Sequence, residues 1–376
     1  FQEYLEGLFS RGQSINVAPL VAHGAVRLAA MGFDARAPTR QELDTMKSLV
    51  AEAMSSGAAG FSTGLEYSPG QHADEDELVA LSRVAARYGG IYASHIRERG
   101  DRFESAVQET LNIARRADIP AQLSHLAPRP YAPPGTFDRV LAMVHDGQQA
   151  RLKIGMDTFP DTWGPAHLTH LLPPSVCEGP KEEVVRRLRD PRTAEKCRDY
   201  VDNPTNFLLR LGGFDRLFLS NSNVHPELVG RSLEEVSAEF GLDHTETILR
   251  LAAVEGKDFS NVLIRHIFAT QEDLDKLLTE PSCSVGSDGV AVSTVGTLGT
   301  LVMNRSSYGY APRFIREYAL DRRMFSLEEA VRKMTSLPAD SAGLHDRGRL
   351  EPGMAADLVV IAPATANTIA KLAAGI

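Results

Sequence analysis

The sequence has few cysteines and no long hydrophobic segment. No run of about 18 or more apolar residues occurs in its 376 residues, so no transmembrane helix is predicted. The three cysteines, Cys177, Cys197 and Cys283, include no CxxC pair, which argues against a disulfide framework and an all-cysteine zinc site. Reduced thiols favour a cytoplasmic protein. The opening segment, FQEYLEGLFS, lacks an initiator Met and the regions of a signal peptide, and it resembles the middle of a longer chain.

The charge balance excludes further classes of partner. The formal net charge is -9, which argues against nucleic acid and anionic membranes as main partners. A hydrophobic content of 43% with 24% charged residues is typical of a globular protein. We therefore expect an enzyme with a small-molecule substrate, and association into a homo-oligomer is left open.

Strands and helices are predicted to alternate along most of the chain. Apolar runs predict strands at 15–22, 58–65, 91–96, 120–126, 152–160, 261–268 and 282–288. Amphipathic patterns predict helices at 41–56, 74–88, 104–117 and 326–337. Leu65, His95 and His125 lie at the ends of three consecutive strands, each 30 residues after the last. This alternation predicts a parallel sheet with right-handed crossovers.

The fold expected from this pattern is an α/β barrel of the (β/α)8 type. Near-continuous apolar strands that end in polar, reactive residues fit such a barrel better than an open sheet. Six or seven strands are found where eight are needed, and the missing ones are expected before Phe1. We assign 1–345 to the incomplete barrel, with an insertion at about 161–260 that the 261–268 strand could join.

Three strand-end residues suggest a hydrolytic metal site. His95 and His125 end neighbouring strands, and Asp288 ends the last predicted strand. Imidazoles and carboxylates that converge from different strands are typical ligands of catalytic zinc. One such histidine alone is more often a hydrogen-bonded rim residue, but the pair with Asp288 favours a metal site. His23 is interpreted as structural, His266 as lying outside the site, and His167 and His170 as exposed residues of the insertion.

Seven ordered motifs resemble one known family. They are VAHGAVR (21–27), GFSTGLEYSPG (60–70), GGIYASHIRERG (89–100), IPAQLSHL (119–126), GSDG (286–289), EEAVRKMTSLPA (328–339) and DRGRLEPGMAADLVV (346–360). Together they resemble the N-acyl-D-amino-acid deacylases (D-aminoacylases) of the amidohydrolase superfamily. The resemblance covers about 1–362 and is weakest across the insertion. It assigns 346–362 to the remnant of a small β-sandwich domain.

The resemblance implies zinc-dependent deacylation of an N-acyl-D-amino acid or a related N-acyl compound. It implies one or two zinc ions, with His95, His125 and Asp288 as metal ligands and Asp288 also as general base. Tyr67 is implied as a catalytic residue that hydrogen-bonds the scissile carbonyl. The substrate-binding residues implied are Tyr67, Arg97, Phe159 and Arg305. Two alternatives remain: a cyclic-amide hydrolase of the hydantoinase or dihydroorotase kind, and an inactive barrel.

The sequence departs from the family pattern in three respects. The HxH pair and cysteine of the first family strand are absent, since the matching region would precede Phe1. Ala127 and Phe159 replace the family's lysine and tyrosine that bind the substrate carboxylate, which leaves Arg305 or Arg129 as the alternative cations. Residues 357–376 resemble part of the phosphopantothenoylcysteine decarboxylase flavoproteins, so 363–376 is interpreted as a tail of foreign origin.

Overall fold

The computed structural model describes residues 1–10, 12, 15–204, 206–289, 293, 295 and 305–355. Its main sheet has six parallel strands in the order β1-β2-β3-β4-β5-β9. These strands are β1 (Leu20–Ala22), β2 (Gly60–Gly64), β3 (Ile91–His95), β4 (Ala121–Leu123), β5 (Ile154–Thr158) and β9 (Cys283–Val285). The predicted α/β class is confirmed, and six parallel strands are consistent with an incomplete (β/α)8 barrel.

Helices follow most strands of this sheet and pack against it. In chain order the helices up to the insertion are α1 (Gln2–Phe9), α2 (His23–Met31), α3 (Arg40–Ser55), α4 (Glu75–Arg87), α5 (Phe103–Ala117) and α6 (Thr136–Gln149). Thr39 begins α3 with a capping box, because its side chain accepts from Glu42 N–H and Glu42 accepts from Thr39 N–H. Asp74 caps α4 in the same position. The apolar faces of α2 to α6 and the strands form one continuous core.

The insertion forms a second, antiparallel sheet with its own core. Its strands, in the order β6-β8-β7, are β6 (Trp163–His167), β7 (Phe218–Asn221) and β8 (Leu263–Ile267). Its helices are α7 (Pro174–Cys177), α8 (Lys181–Leu188), α9 (Pro191–Val201), α10 (Leu233–Phe240) and α11 (His244–Val254). Of the two placements left open for the 261–268 strand, the structure shows the insertion, because β8 pairs with β6 and β7 and not with the barrel strands.

The chain returns to the barrel after β8. The remaining helical segments are α12 (Gln271–Thr279), α13 (Ser306–Phe314), the π-helical turn Ile315–Asp321, α14 (Leu327–Met334) and α15 (Ser336–Ser341). Residues 346–355 of the predicted small β domain contain no strand, while the rest of that segment and the tail at 363–376 lie outside the described residues. No helix in the described ranges is both long and apolar enough to span a bilayer.

Candidate active site

The carboxyl ends of the parallel strands open into one large cavity. It has a volume of about 890 Å³, and one of its walls comes from the antiparallel sheet of the insertion. Functional groups of barrel enzymes lie at this end of the strands. Five of the residues singled out in the sequence line it: Tyr67, His95, His125, Phe159 and Asp288. The structure therefore brings together the predicted ligands, the predicted base and two predicted substrate-binding residues.

His95 and His125 face each other across neighbouring strands. Nδ1 of His95 lies 2.8 Å from Nε2 of His125, and the two rings meet edge to face at 4.5 Å between centroids. Burial lowers the pKa of His95, and burial together with the charge of His95 lowers that of His125 well below its usual value. Both imidazoles are therefore neutral at pH 7, as metal ligands must be.

Glu66, which the sequence analysis did not single out, fixes the orientation of His95. Its Oε2 lies 2.9 Å from His95 Nε2, and both its oxygens accept hydrogen bonds from Nη2 of Arg129, at 2.8 and 3.0 Å. Burial raises the pKa of Glu66, but the charge of Arg129 and the bond to His95 outweigh it and hold the pKa well below normal. An ionised carboxylate only accepts, so His95 donates through Nε2 and presents the lone pair of Nδ1 to the cavity.

His125 is placed by a strained backbone and a buried carboxylate. Its φ of 39° lies in the left-handed region, which is uncommon for non-glycine residues. The backbone N–H of His125 donates to Asp157 Oδ1 at 2.8 Å, and Gln122 donates to the other oxygen of Asp157. Burial raises the pKa of Asp157 to about 6. Asp157 thus positions the second histidine through its main chain.

Asp288 is exposed at the edge of the cavity, also with a left-handed backbone, at φ 46°. Within the described residues, no group of three or more His, Cys, Asp or Glu side chains is arranged to hold one metal ion. The structure thus brings Asp288 into the pocket of the two histidines but not into a shared ligand cluster with them. Its roles as ligand and as base stay predictions.

Tyr67 lies between the barrel and the insertion. Its ring is 4.7 Å from that of His95 and stacks on that of His170 at 4.9 Å between centroids. Burial and the negative charge of Glu66 raise the pKa of Tyr67, so its hydroxyl stays protonated. Because 36% of its surface remains exposed, Tyr67 can contact a bound ligand.

Two of the predicted substrate-binding residues lie elsewhere, and these two predictions are corrected. Arg97 pairs with Glu109 at 2.9 Å and donates to the carbonyls of Gln71 and Ala73, outside the cavity. Arg305 lines a different depression, where it pairs with Asp161 at 3.2 Å. Both residues follow a predicted metal ligand in sequence, but their charges are balanced by carboxylates outside the cavity.

The structure also adds cavity residues that the sequence analysis missed or placed elsewhere, and it brings Arg129, named there as an alternative cation, into the cavity. Arg99 and Arg129 are buried in the cavity wall, and three histidines of the insertion line it: His167, His170 and His266. Burial lowers the pKa of His170 to about 4 and of His266 to about 3, so both are neutral at pH 7. His23, in contrast, is a structural residue as predicted, since it bonds Glu77 in the core.

Comparison with known proteins finds relatives that hydrolyse amides. Residues 232–372 match the family described as "Amidohydrolase family". The chain is 32% identical over 357 residues to N-acyl-D-glutamate deacylase and 30% identical over 365 residues to D-aminoacylase, both of Alcaligenes xylosoxydans xylosoxydans. These matches cover 95% and 97% of this chain but 62% and 64% of the relatives, so the chain spans slightly less than two thirds of their length.

A solved structure agrees with this relationship. The crystal structure of N-acyl-D-glutamate deacylase from Bordetella bronchiseptica, in complex with zinc and a phosphonate mimic of the tetrahedral intermediate, superposes with a TM-score of 0.71 at 29% identity. The match covers 94% of this chain and 63% of that one. The resemblance seen in the motifs is thus confirmed over nearly the whole sequence: the chain is similar to the N-acyl-D-amino-acid deacylases and has the fold of the amidohydrolase superfamily.

Proposed function

We propose that this protein is a zinc-dependent amidohydrolase that removes the acyl group from an N-acyl-D-amino acid or a related N-acyl compound. The observation that carries the proposal is the His95–His125 pair at the ends of adjacent strands, two neutral imidazoles whose facing nitrogens lie 2.8 Å apart. The named activities of the relatives support the substrate class. The zinc in the complex of the relative from Bordetella supports the choice of metal.

The two histidines fit a zinc ion, although they do not complete its ligand set. Two nitrogens bound to one tetrahedral zinc at about 2.1 Å lie roughly 3.4 Å apart, so the two nitrogens, now 2.8 Å apart, need separate by about 0.6 Å. His95 already presents the correct nitrogen. His125 must carry its hydrogen on Nδ1, a buried atom that has no hydrogen-bond partner among the described residues. Further ligands must come from outside this pair.

The residues of the cavity then divide the chemistry of amide hydrolysis between them. A bound zinc ion would supply Lewis acidity, polarising the amide carbonyl and making water more acidic. Asp288 takes a proton from the attacking water and returns it to the leaving nitrogen. The protonated Tyr67 hydroxyl donates a hydrogen bond to the carbonyl oxygen as negative charge develops on it.

The proposal is tested by zinc binding and hydrolysis, measured on the same protein. Zinc-loaded protein should release acetate from N-acetyl-D-amino acids, and a chelator should abolish the release. Asp288→Asn should still bind zinc but lose roughly 100-fold or more in kcat, since general acid–base catalysis contributes about 10²–10⁴-fold. His125→Asn should lose both properties. Zinc binding without hydrolysis of any N-acyl compound in a panel of acids and amides would instead support an inactive barrel.

A further inference from the structure

Two buried guanidinium groups share the cavity with the histidine pair. Arg99 and Arg129 are each only 3% exposed, and both line the cavity. They lie on the loops that follow β3 and β4, which are joined by a hydrogen bond from Arg129 N–H to the Arg99 carbonyl at 2.8 Å. Arg99 stacks on the ring of Phe268 and Arg129 on that of Phe207. Both groups are thus held rigidly.

Glu66 is the carboxylate that bonds this pair directly, while Asp288 in the same cavity acts on Arg99 only through its charge. Arg129 bonds Glu66 through Nη2 alone, and its Nε and Nη1 have no partner. Arg99 donates only to the Ala127 carbonyl, and its Nε also has no partner. Among the described residues, no carboxylate lies within ion-pair distance of Arg99. Three buried donors of two cations are therefore left without an acceptor.

Such an arrangement is costly unless an anion completes it. A buried charge without a partner is strongly disfavoured, and a charged donor without an acceptor loses its hydrogen bond to water. Burial and the nearby charge of Arg129 lower the pKa of Arg99 to about 10, so the guanidinium remains charged at pH 7. Arginine forks match the two oxygens of a carboxylate.

We infer that Arg99 and Arg129 form the subsite that binds the free carboxylate of the N-acyl amino acid. This inference rests on the proposed function, because it names the part of that substrate which the two arginines recognise. It also resolves the absence of a cation or hydroxyl at Ala127 and Phe159. Arg99 reaches the Ala127 carbonyl from the neighbouring loop, whereas Arg305 is bound to Asp161 in a separate depression.

The test compares an acid with its neutral amide in a binding experiment. N-acetyl-D-alanine and N-acetyl-D-alaninamide are titrated calorimetrically into the chelator-treated protein, which does not turn them over. The wild type should bind the acid at least about 10-fold more tightly than the amide, because each charge-assisted bond contributes roughly 10–100-fold. Arg99→Met and Arg129→Met should each remove most of this preference and leave binding of the amide within about 2-fold.

Three further variants separate the subsite from other causes. Arg305→Met should keep the preference for the acid, as should Arg139→Met, which removes an exposed arginine paired with Glu104. Arg99→Lys keeps the charge without the fork and should retain part of the preference, which also covers the case in which Arg99→Met does not fold. Loss of the preference in Arg305→Met would overturn the inference.

Other outcomes would also overturn it. Equal affinity of the wild type for acid and amide would do so. An equal loss of affinity for both ligands in Arg99→Met would also do so, because it would indicate a structural role for Arg99. Inorganic phosphate that binds through Arg99 while acid and amide remain equal would assign the subsite to a free anion. Acid preference without any hydrolysis refutes the proposed function alone, and hydrolysis of acid and amide at equal rates refutes only this inference.

Discussion

Replacing Glu66 with Gln removes the charge that orients His95 while preserving the shape of the side chain. Glu66 holds His95 Nε2 at 2.9 Å and is the ion-pair partner of Arg129. Loss of a carboxylate that orients a metal-binding histidine weakens metal affinity by about 10–100-fold. We therefore expect the zinc dissociation constant of Glu66→Gln to rise by that factor, which corresponds to about 1.4–2.7 kcal/mol.

The variant should also lose stability, because Arg129 is left without its carboxylate. Breaking a buried ion pair costs about 3–5 kcal/mol, and the 14% exposure of the Glu66 side chain places the expected loss near the lower end, about 3 kcal/mol. Urea denaturation of the metal-free protein measures this loss. Competition with a chromophoric zinc chelator measures the affinity separately, on protein that circular dichroism shows to be folded.

Glu109→Gln is the matched control. Glu109 is 15% exposed and pairs with Arg97 at 2.9 Å, but it faces away from the cavity. Its replacement should lower stability by a comparable amount and leave zinc affinity unchanged. If Glu66→Gln bound zinc as tightly as the wild type, Glu66 would not orient His95 for a metal. If both variants weakened zinc binding equally, the effect would be a general loss of structure.

Three other predictions concern stability. Because burial lowers the pKa of His266 to about 3 in the folded state, the free energy of unfolding should fall as the pH drops from about 6.5 toward 3, by about 2 kcal/mol between pH 7 and 5. In His266→Gln the urea midpoint should depend less on pH over this range, and an unchanged slope would contradict the reasoning. Glu77→Gln leaves the fully buried Arg27 without its carboxylate and should cost about 3–5 kcal/mol in urea denaturation, and a loss below about 1 kcal/mol would refute this. Gly60→Ala places a methyl group 2.2 Å from the Ile91 carbonyl oxygen and should lower the free energy of unfolding by at least about 1–3 kcal/mol. As a control, the methyl group of Gly7→Ala in α1 meets no atom within 4 Å, so this variant should not lower the melting temperature.

The helices could be predicted closely from sequence because their ends carry local chemical signals. The capping box at Thr39 marks the start of α3, and the N-cap Asp74 marks the start of α4. Both helices begin within one residue of the predicted starts. The strands were predicted too long, as for β5, which covers Ile154–Thr158 within the predicted 152–160. Apolar side chains continue past the last ladder hydrogen bond, so hydrophobicity alone does not mark where pairing ends.

The convergence of the histidines was predictable for a different reason. Parallel strands separated by one helix each present their carboxyl ends at the same edge, so equal spacing in sequence becomes proximity in space. That argument cannot reach Glu66 or His170, because their positions depend on how a loop and the insertion fold back over the strands. The same limitation left the 261–268 strand open between the barrel and the insertion, and the structure pairs β8 with β6 and β7.

The two arginines after His95 show where the alternation of side chains along a strand no longer predicts their direction. In an extended strand, residues 95, 97 and 99 would all face one side, so Arg97 and Arg99 would both lie beside the first ligand. Strand β3 ends at His95, and the chain then turns toward α5, so Arg97 reaches Glu109 while Arg99 enters the cavity. A substrate carboxylate would therefore be recognised by a residue whose direction is set by that turn. Specificity at this end of the pocket thus depends on loop geometry that the strand pattern does not encode.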